Sequence, residues 1–284
     1  MSDAEAPTRT DILKQAFGEH AKAFEENLDA QAKAHFSAYE YKIKQQRPVY
    51  DQRAQLAKKV PHFWPTSLQN CRQVAQFIDP VDEDAFKHLT GVDIVHGDKD
   101  VRDYEVRFTF SKNPYFSSTS PLVASFTVTP PSSLKPAPEP VSSFDLEAPS
   151  YILPSSSSSA IKWTSPEHDL TKKAPRPKVD VEDLEENDEY DGPGSFFNLF
   201  KDEGEDKMSI GESLLEWWGH ASEYAAGLAS LDDISDNEGA GGLDFDFDEF
   251  NSEDESEDED PKKEIDLGSD EEEKRPKKKQ RNKK

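Results

Sequence analysis

The stretch DYEVRFTFSKNPYF, residues 103–116, is the part of the sequence that decides the fold. Its first half alternates between apolar and polar side chains, as a strand does when one face is buried and the other meets solvent. The apolar positions are Tyr104, Val106, Phe108 and Phe110. This alternation predicts a strand of an antiparallel sheet, because parallel strands are buried on both faces and form continuous apolar runs.

The sequence on both sides of this strand predicts an α+β domain over residues 60–231. Residues 122–128 and the SAIKW segment, 159–163, predict further strands. Residues 67–78 and 82–89 predict short helices that follow a turn at VPHFWP. We therefore expect an antiparallel sheet covered by helices on one face.

The rest of this domain divides into closing helices and long connections. Residues 195–200 (SFFNLF) and 210–231 regain helical apolar spacing and predict helices that pack back on the sheet. Flexible loops are predicted at 130–159 and 164–194, which are rich in Pro, Ser and charged residues. Residues 1–9 are polar and are predicted to be disordered.

A long apolar stripe precedes the domain. From Thr10 to residue 46 there is no proline and only one glycine, Gly18, and apolar side chains recur every three or four residues. The pattern predicts one long helix over residues 10–59, capped by Thr10 and kinked near Pro48. Either a second copy of the chain or the helix's own domain could cover the stripe, and we favour an antiparallel homodimer. The predicted dimer interface is Leu13, Phe17, Phe24, Leu28, Phe36, Tyr39 and Ile43.

Composition narrows the classes of partner. The 284 residues include 59 acidic and 34 basic side chains, a net charge of -25, and only 33% are hydrophobic. Such a charge repels nucleic acid and membrane surfaces and attracts cationic proteins, so sequence-specific nucleic-acid binding and membrane binding are not expected. The single cysteine, Cys71, cannot form an intrachain disulfide and is interpreted as a small apolar residue.

The sequence contains no recognisable catalytic constellation. The seven histidines have no HExxH spacing, no GxSxG occurs, and the glycines at 239–242 lack the strand and helix that a phosphate-binding loop requires. We therefore predict no enzymatic activity, no cofactor and no metal site.

Most of the negative charge is concentrated near the C-terminus. Residues 232–273 contain 21 acidic residues against two lysines, a net of 2 - 21 = -19, and are predicted to be a disordered acidic tail that captures basic proteins. A purely solubilising tail is the alternative. Against it stands LDFDFDEF, residues 243–250, whose aromatic side chains could anchor in apolar pockets while the acids meet basic groups. The residues predicted to contact a basic partner here are Asp244, Phe245, Asp246, Phe247, Asp248, Glu249 and Phe250.

The tail ends in a basic cluster, residues 274–284, and carries candidate modification sites. The cluster resembles a nuclear import signal, with Lys274, Arg275, Lys277, Lys278, Lys279 and Arg281 as the importin-binding side chains. DNA contact and pairing with the acidic tail are alternative roles for it. Three serines in Ser-x-x-Glu patterns are candidate phosphorylation sites, where phosphate would deepen the negative charge: Ser252, Ser256 and Ser269.

Several segments together carry a family resemblance over residues 11–231. PVYDQRAQLAKKVPHFW, DEDAFKHLTGVDI, DYEVRFTFSKNPYF, IKW followed by DLTKK, and SFFNLF resemble the SET and nucleosome-assembly-protein family, in its SET-like branch. Two departures are the Pro- and Ser-rich insertion between Ala124 and Ala160, and EWWGHASEYAAGL near the end of the domain.

The resemblance implies a homodimer in which paired long helices carry an earmuff-like α/β domain at each end. It also implies a histone chaperone that holds core histones against the acidic underside of the domain and the tail. The pair of histones H3 and H4 is the preferred cargo, and the pair of histones 2A and 2B is accepted. The residues implied at the underside are Asp169, Thr171, Glu182, Asp183, Glu185, Glu186, Asp202, Glu203, Asp232 and Asp233.

Further expectations concern location and other partners. We expect a nuclear protein that shuttles with the cytoplasm, with importin as a partner. A histone acetyltransferase is a candidate partner, and a regulatory adaptor that activates an acetyltransferase or inhibits a phosphatase is the alternative function.

Overall fold

A computed structural model describes residues 8–117, 120–134, 142–156, 160–177 and 192–229. Along the chain, long helical segments come first, a five-stranded sheet follows, and two helices close the domain. The predicted α+β fold, a long N-terminal helix followed by an antiparallel sheet with helices, is confirmed.

The N-terminal helical segment is divided into two helices. Helix α1 spans Arg9–Phe17, a 3₁₀ turn spans Gly18–His20, and helix α2 spans Ala21–Ala57. The prediction of a single helix over residues 10–59 is therefore wrong at its N-terminal end. The cause is Gly18, whose φ of 56° and ψ of -124° leave the helical region in a way that side chains with a Cβ rarely adopt.

Helix α1 folds back along α2. Arg9 Nη2 lies 3.1 Å from Asp29 Oδ1, and Thr10 Oγ1 donates to Glu25 Oε1 at 3.1 Å. The predicted cap is also displaced, because Thr8 rather than Thr10 accepts from the Asp11 amide. The result is a helical hairpin, held by polar pairs across its two arms.

Helix α2 continues through Pro48 without a break. The predicted helix therefore does extend past Pro48. Proline removes one backbone hydrogen bond from a helix, a loss that surrounding contacts can outweigh. Here Arg47 pairs with Asp93 of the domain at 2.9 Å, and the Tyr50 ring lies 4.0 Å from the Trp218 ring. These contacts hold the helix against the domain on both sides of the proline.

The sheet is an antiparallel meander in the order β1-β2-β3-β4-β5. Its strands are β1 Leu89–His96, β2 Tyr104–Phe110, β3 Leu122–Thr127, β4 Tyr151–Leu153 and β5 Gly204–Glu205. The strands predicted at residues 103–110 and 122–128 are confirmed.

The alternation predicted for β2 is also confirmed. Tyr104, Val106 and Phe108 are buried while the residues between them are more exposed. Each inward side chain pairs across the sheet with an inward side chain of β3, as Val106 does with Ala124.

Two predictions about the later strands are wrong. Residues 159–163 form no strand among the described residues 160–163, where Trp163 makes only an isolated bridge to Phe116. The true fourth strand, Tyr151–Leu153, lies inside the predicted loop at 130–159. It forms because β3 offers an unpaired edge, and Tyr151 and Ile152 become buried when they pair with it.

The helices of the domain are shorter than predicted and begin elsewhere. They are α3 Phe63–Gln69, α4 Arg72–Ala75, α5 Glu83–Phe86, α6 Leu170–Lys173, α7 Ile210–Gly219 and α8 Ala221–Ala225, with 3₁₀ turns at Pro80–Asp82, Pro166–His168 and Phe196–Phe200. Helix α3 starts within the predicted VPHFWP turn. The loop predicted at 164–194 contains α6 and one of these 3₁₀ turns, which form because Leu170 is buried in the core.

One buried carboxylate joins the early helices to the SFFNLF segment. Asp82 is fully buried and accepts from Ser195 Oγ and from the Phe196 amide, each at 2.6 Å. Burial raises the pKa of Asp82 to about 6, even though these hydrogen bonds favour the charged form. Through this contact Phe196 and Phe197 are held in the aromatic core beside Phe86.

Candidate functional site

The loop after Trp163 brings the first two predicted site residues together. Asp169 and Thr171 are both buried, and the Thr171 hydroxyl donates to Asp169 Oδ1 at 2.5 Å. Two exposed lysines approach the same carboxylate, with Lys172 Nζ at 3.3 Å and Lys201 Nζ at 3.8 Å. Burial acts to raise the pKa of Asp169, but Thr171 and the lysines outweigh it and the pKa is lowered.

The burial of this pair changes its expected role. The expectation that Asp169 and Thr171 contact a partner directly does not fit their exposed fractions of 5% and 6%. An ionised carboxylate that leaves water needs charged partners, and the two lysines supply them. Asp169 therefore shapes the surface by positioning Lys172 and Lys201, which are exposed.

The next predicted acids, Asp202 and Glu203, also have partners inside the domain. Arg176 donates to Asp202 Oδ2 from Nη2 at 2.6 Å and from Nε at 3.1 Å. Glu203 accepts from Ser133 Oγ at 2.6 Å. The structure thus places four predicted residues near Lys201, and each of them is hydrogen-bonded or ion-paired within the domain.

The remaining predicted contacts lie outside the described residues. This holds for six of the underside acids, for the aromatic and acidic tail segment, for the import cluster and for the serines. They are Glu182, Asp183, Glu185, Glu186, Asp232, Asp233, residues 244–250, residues 274–284, Ser252, Ser256 and Ser269.

A second acidic surface was not predicted from the sequence. It borders a groove of about 610 Å³ between α2, the β4–β5 edge and the start of α7. Glu147, Glu205 and Glu212 line it and are exposed, and none of them has an ion pair among the described residues. Asp206 lies below them, buried, and accepts from the Gly211 amide at 2.7 Å at the start of α7. No spacing rule connects these residues, so only the folded arrangement reveals them.

The predicted dimer interface divides into two parts. Phe36, Tyr39 and Ile43 are only partly exposed because they face the chain's own domain. Phe36 packs edge-on against Phe144 at 5.8 Å, and Tyr39 against His96 at 6.3 Å. The helix's own domain, which is the alternative covering of the stripe, therefore contacts Phe36 and Tyr39 within a single chain.

The N-terminal part of that stripe is arranged differently. Leu13 is buried within the α1–α2 hairpin, so it too is unavailable to a second copy. Phe17 stacks on Phe24 at 4.1 Å, yet both rings remain at least 40% exposed. Leu28 is also exposed, at 39%. Phe17, Phe24 and Leu28 therefore form an apolar surface that remains open in the monomer.

Arg53 holds the C-terminal half of α2 against the domain. Its guanidinium lies 4.6 Å from the centre of the Tyr50 ring and 4.8 Å from that of Trp218, and Nη1 donates to the Trp218 carbonyl at 2.5 Å. Burial lowers the pKa of Arg53 to about 10. The hydrogen bond pairs a carbonyl at the C-terminal end of α7 with a positive charge. Together with the two ring contacts, it fixes the direction in which α2 leaves the domain.

Two classes of site are not found in the described part of the chain. No three His, Cys, Asp or Glu side chains converge there in a way that could hold a metal ion. Among the same residues, no helix combines the length and the apolar character that crossing a membrane requires.

Comparison with known proteins identifies the family. A sequence model described as Nucleosome assembly protein (NAP) matches residues 2–271. The chain belongs to this family. The match covers the helices, the sheet and most of the acidic C-terminal region, so it does not depend on a single motif.

Individual relatives match over shorter stretches. Human Protein SETSIP is 26% identical over 198 residues, 69% of this chain and 58% of that protein. Protein SET of Drosophila melanogaster is 32% identical over 75 residues, 26% of this chain and 28% of that protein. NAP1-related protein 1 of Oryza sativa subsp. indica is 34% identical over 73 residues, with the same two shares. The chain therefore spans less than two thirds of the length of these relatives.

Solved structures share the fold. A Ccp1 mutant superposes with a TM-score of 0.54 at 20% identity, covering 77% of this chain and 100% of that one. Vps75 superposes with a TM-score of 0.51 at 17% identity, covering 74% and 100%. At these identities the likeness concerns the fold alone.

Proposed function

We propose that this protein is a histone chaperone. It binds core histones, with H3–H4 preferred, shields their positive charge and delivers them for nucleosome assembly or disassembly in the nucleus. The observation that carries the proposal is membership of the nucleosome assembly protein family over residues 2–271, combined with a net charge of -25. Since no catalytic constellation was found in the sequence, the proposed activity is binding and release.

The charge distribution suits a reversible carrier of basic proteins. Residues 232–273 alone contribute 2 - 21 = -19. Long-range attraction of this kind speeds association and weakens as salt screens it. DNA presents a denser line of negative charge, so it can compete for the cargo once a chaperone has delivered it.

We also propose that the protein acts as a homodimer through a face of α2 that shares Phe24 and Leu28 with the predicted stripe and departs from it after Leu28. One set of α2 positions repeats with alternating steps of three and four residues, the spacing of a coiled-coil seam. Every side chain in the set is exposed: Phe24, Leu28, Gln31, His35, Ala38, Lys42, Gln45, Val49, Gln52 and Leu56. In a single chain this seam is uncovered. The two ends of the seam are apolar.

An antiparallel pairing of two such seams is self-complementary. If the two-fold axis passes near residue 40, Phe24 of one copy lies opposite Leu56 of the other, and Gln31 lies opposite Val49. Phe24, Val49 and Leu56 are 45%, 60% and 53% exposed in the monomer. Pairing thus covers the apolar ends of the seam and leaves its polar middle at the axis, where it favours one register over others.

The dimer is tested by sedimentation of the full chain. Val49→Asp with Leu56→Asp should convert dimer to monomer, because two charges per copy would be buried without partners. The matched control is Ala23→Asp with Ala30→Asp, which adds the same charge to exposed α2 positions off the seam. A seam variant that sediments as the control does would refute this face as the interface.

The chaperone function is tested at several salt concentrations with two purified cargoes, the H3–H4 pair and the pair of histones 2A and 2B. We expect binding to both, tighter to H3–H4, with affinity falling as salt rises, and we expect the protein to reduce aggregation of histones mixed with DNA. Absence of histone binding at physiological salt would refute the proposal. Replacing the cations of residues 274–284 by glutamine should abolish nuclear accumulation while histone binding is retained, since positive charges on the chaperone do not attract a basic cargo.

A further inference from the structure

We propose that the groove bordered by Glu147, Glu205 and Glu212 is a dedicated site for an extended, lysine- or arginine-bearing peptide segment of a basic partner. The inference rests on the proposed function and deepens it. It assigns part of the recognition to a folded surface whose lining residues do not include Asp169 or Thr171.

The first support is the shape of the groove and its apolar lining. The volume of about 610 Å³ is large enough for several side chains, and its walls include Tyr39 of α2, Leu146 and Leu215 of α7. Leu146 is 40% exposed. The stem of a lysine or arginine is a chain of methylene groups, which packs on such a surface while the charged end reaches outward.

The second support is charge complementarity. Glu147, Glu205 and Glu212 lie around the groove without an ion pair among the described residues. Two basic residues also line it, fewer than the carboxylates: Arg102 is paired with Asp100 at 2.7 Å, and Lys207 is exposed. Several carboxylates around one apolar groove favour a cationic occupant and disfavour an acidic or purely apolar one.

The third support is that one wall is fixed in place. We call residues 142–150, which form this wall, the strap. Arg102 Nη1 donates to the carbonyls of Ser142 and Asp145 at 2.9 and 2.8 Å. The Phe144 ring of the strap packs on Phe36 of α2, 5.8 Å between centres. A wall held at both the β1–β2 turn and the long helix keeps the groove open before a ligand arrives, which lowers the entropic cost of binding.

The strap also belongs to a part of the chain that departs from the family pattern. It lies within the Pro- and Ser-rich insertion between Ala124 and Ala160. The strap forms one wall of the groove, while α2, β5 and α7 supply the others, so this Pro- and Ser-rich segment takes part in the proposed recognition.

The test uses the full chain and a short fluorescein-labelled peptide of alternating lysine and serine at physiological salt. The groove variant combines Glu147→Gln, Glu205→Gln and Glu212→Gln. It should weaken peptide binding by about tenfold, since each ion pair between a groove carboxylate and a peptide lysine contributes a few-fold at most. The control is Glu19→Gln, Glu26→Gln and Glu216→Gln, three exposed carboxylates outside the groove. The two triple variants have the same net charge as each other and an unchanged tail. Nonspecific attraction of the peptide is therefore equal in both, and any difference in affinity reports on the groove.

A second variant tests the wall without touching the charges. Phe144→Ser releases the strap from Phe36, and we expect a several-fold loss of peptide affinity with all groove carboxylates present. Equal peptide affinity in the groove and control variants would overturn the proposal. It would also be overturned if the peptide binds the groove only after the cations of residues 274–284 are replaced by glutamine, because the occupant would then be the chain's own C-terminal segment.

Histone binding is measured in parallel on the same variants. If the unmodified chain binds no histones, the chaperone function fails whatever the peptide does. If it binds histones while the groove and control variants take up the peptide equally, only the groove proposal fails.

Discussion

Raising the pH from 5 to 8 should weaken the fold through one buried carboxylate, that of Asp82. Its pKa is about 6 in the folded protein against an ordinary value of 3.8, so the folded state binds more protons than the unfolded state between these values. The stabilising contribution is fully present below the unfolded pKa and is lost as the pH rises through the folded pKa. The expected direction is therefore lower stability at higher pH.

The size of the effect follows from the two pKa values. The full difference corresponds to about 3 kcal/mol, at roughly 1.4 kcal/mol for each pKa unit. Much of this change in stability occurs at pH values near the isoelectric point of about 4.6, where the protein is least soluble. Between pH 5 and 8 the expected loss is about 1.4 kcal/mol, because at pH 5 the folded carboxyl is still mostly protonated.

Urea unfolding monitored by tryptophan fluorescence measures this loss, since Trp64, Trp217 and Trp218 are buried. Asp82→Asn cannot titrate, so the difference in unfolding free energy between it and the parent chain should change by about 1.4 kcal/mol over this range. Asp98→Asn, at an exposed position, should follow the parent chain. Parallel pH profiles for the parent chain and Asp82→Asn would refute the assignment.

Three further substitutions test the packing. Gly211→Ala places a Cβ about 2.6 Å from a core phenylalanine ring and should lower the unfolding free energy by about 1–3 kcal/mol, while Gly91→Ala, with its nearest neighbour at 3.5 Å, should cost less. Pro48→Ala restores a backbone donor inside α2 at an exposed position and should raise the melting temperature; a lower one would contradict this. Ser67→Ala removes the acceptor of the buried Trp217 indole N–H at 2.9 Å and should cost about 1–3 kcal/mol in calorimetry, whereas no change would show that this bond is dispensable.

The strands that sequence could predict are those whose side chains alternate over enough residues. Strand β2 meets this condition, since Tyr104, Val106 and Phe108 all point to the core. Strand β4 does not, because it is three residues long and lies between Pro149 and Pro154. Its conformation is set by pairing with β3 and β5, which is a tertiary effect that local composition does not encode.

The helical stripe shows a different limit. Apolar spacing predicts that Phe36 and Ile43 are covered by another apolar surface. Periodicity cannot distinguish whether that surface belongs to the chain's own domain or to a second copy. Gly18 has the same ambiguity, since an isolated glycine is tolerated inside a helix and also permits the turn observed here.

The candidate site could be predicted only in part. The segment around Asp169 was found through the family resemblance, but its burial depends on Lys172 and Lys201, which approach it from different elements. The groove carboxylates Glu147 and Glu212 belong to segments far apart in sequence, and only the strap and α7 bring them together. Charge counting therefore predicts a class of partner, whereas the position of the proposed groove on the domain has no signature in the sequence.

The turn at Gly18 has a consequence for how two copies would align. In the proposed antiparallel pairing the turn lies opposite residues 60–62 of the other copy, immediately before that copy's α3. A helix that ran straight on to Arg9 would project into the neighbouring domain. Because the chain reverses at Gly18, the long helix ends there. In the proposed dimer, the length of α2 therefore sets the distance between the two domains. Helix α2 is about 55 Å long at 1.5 Å per residue.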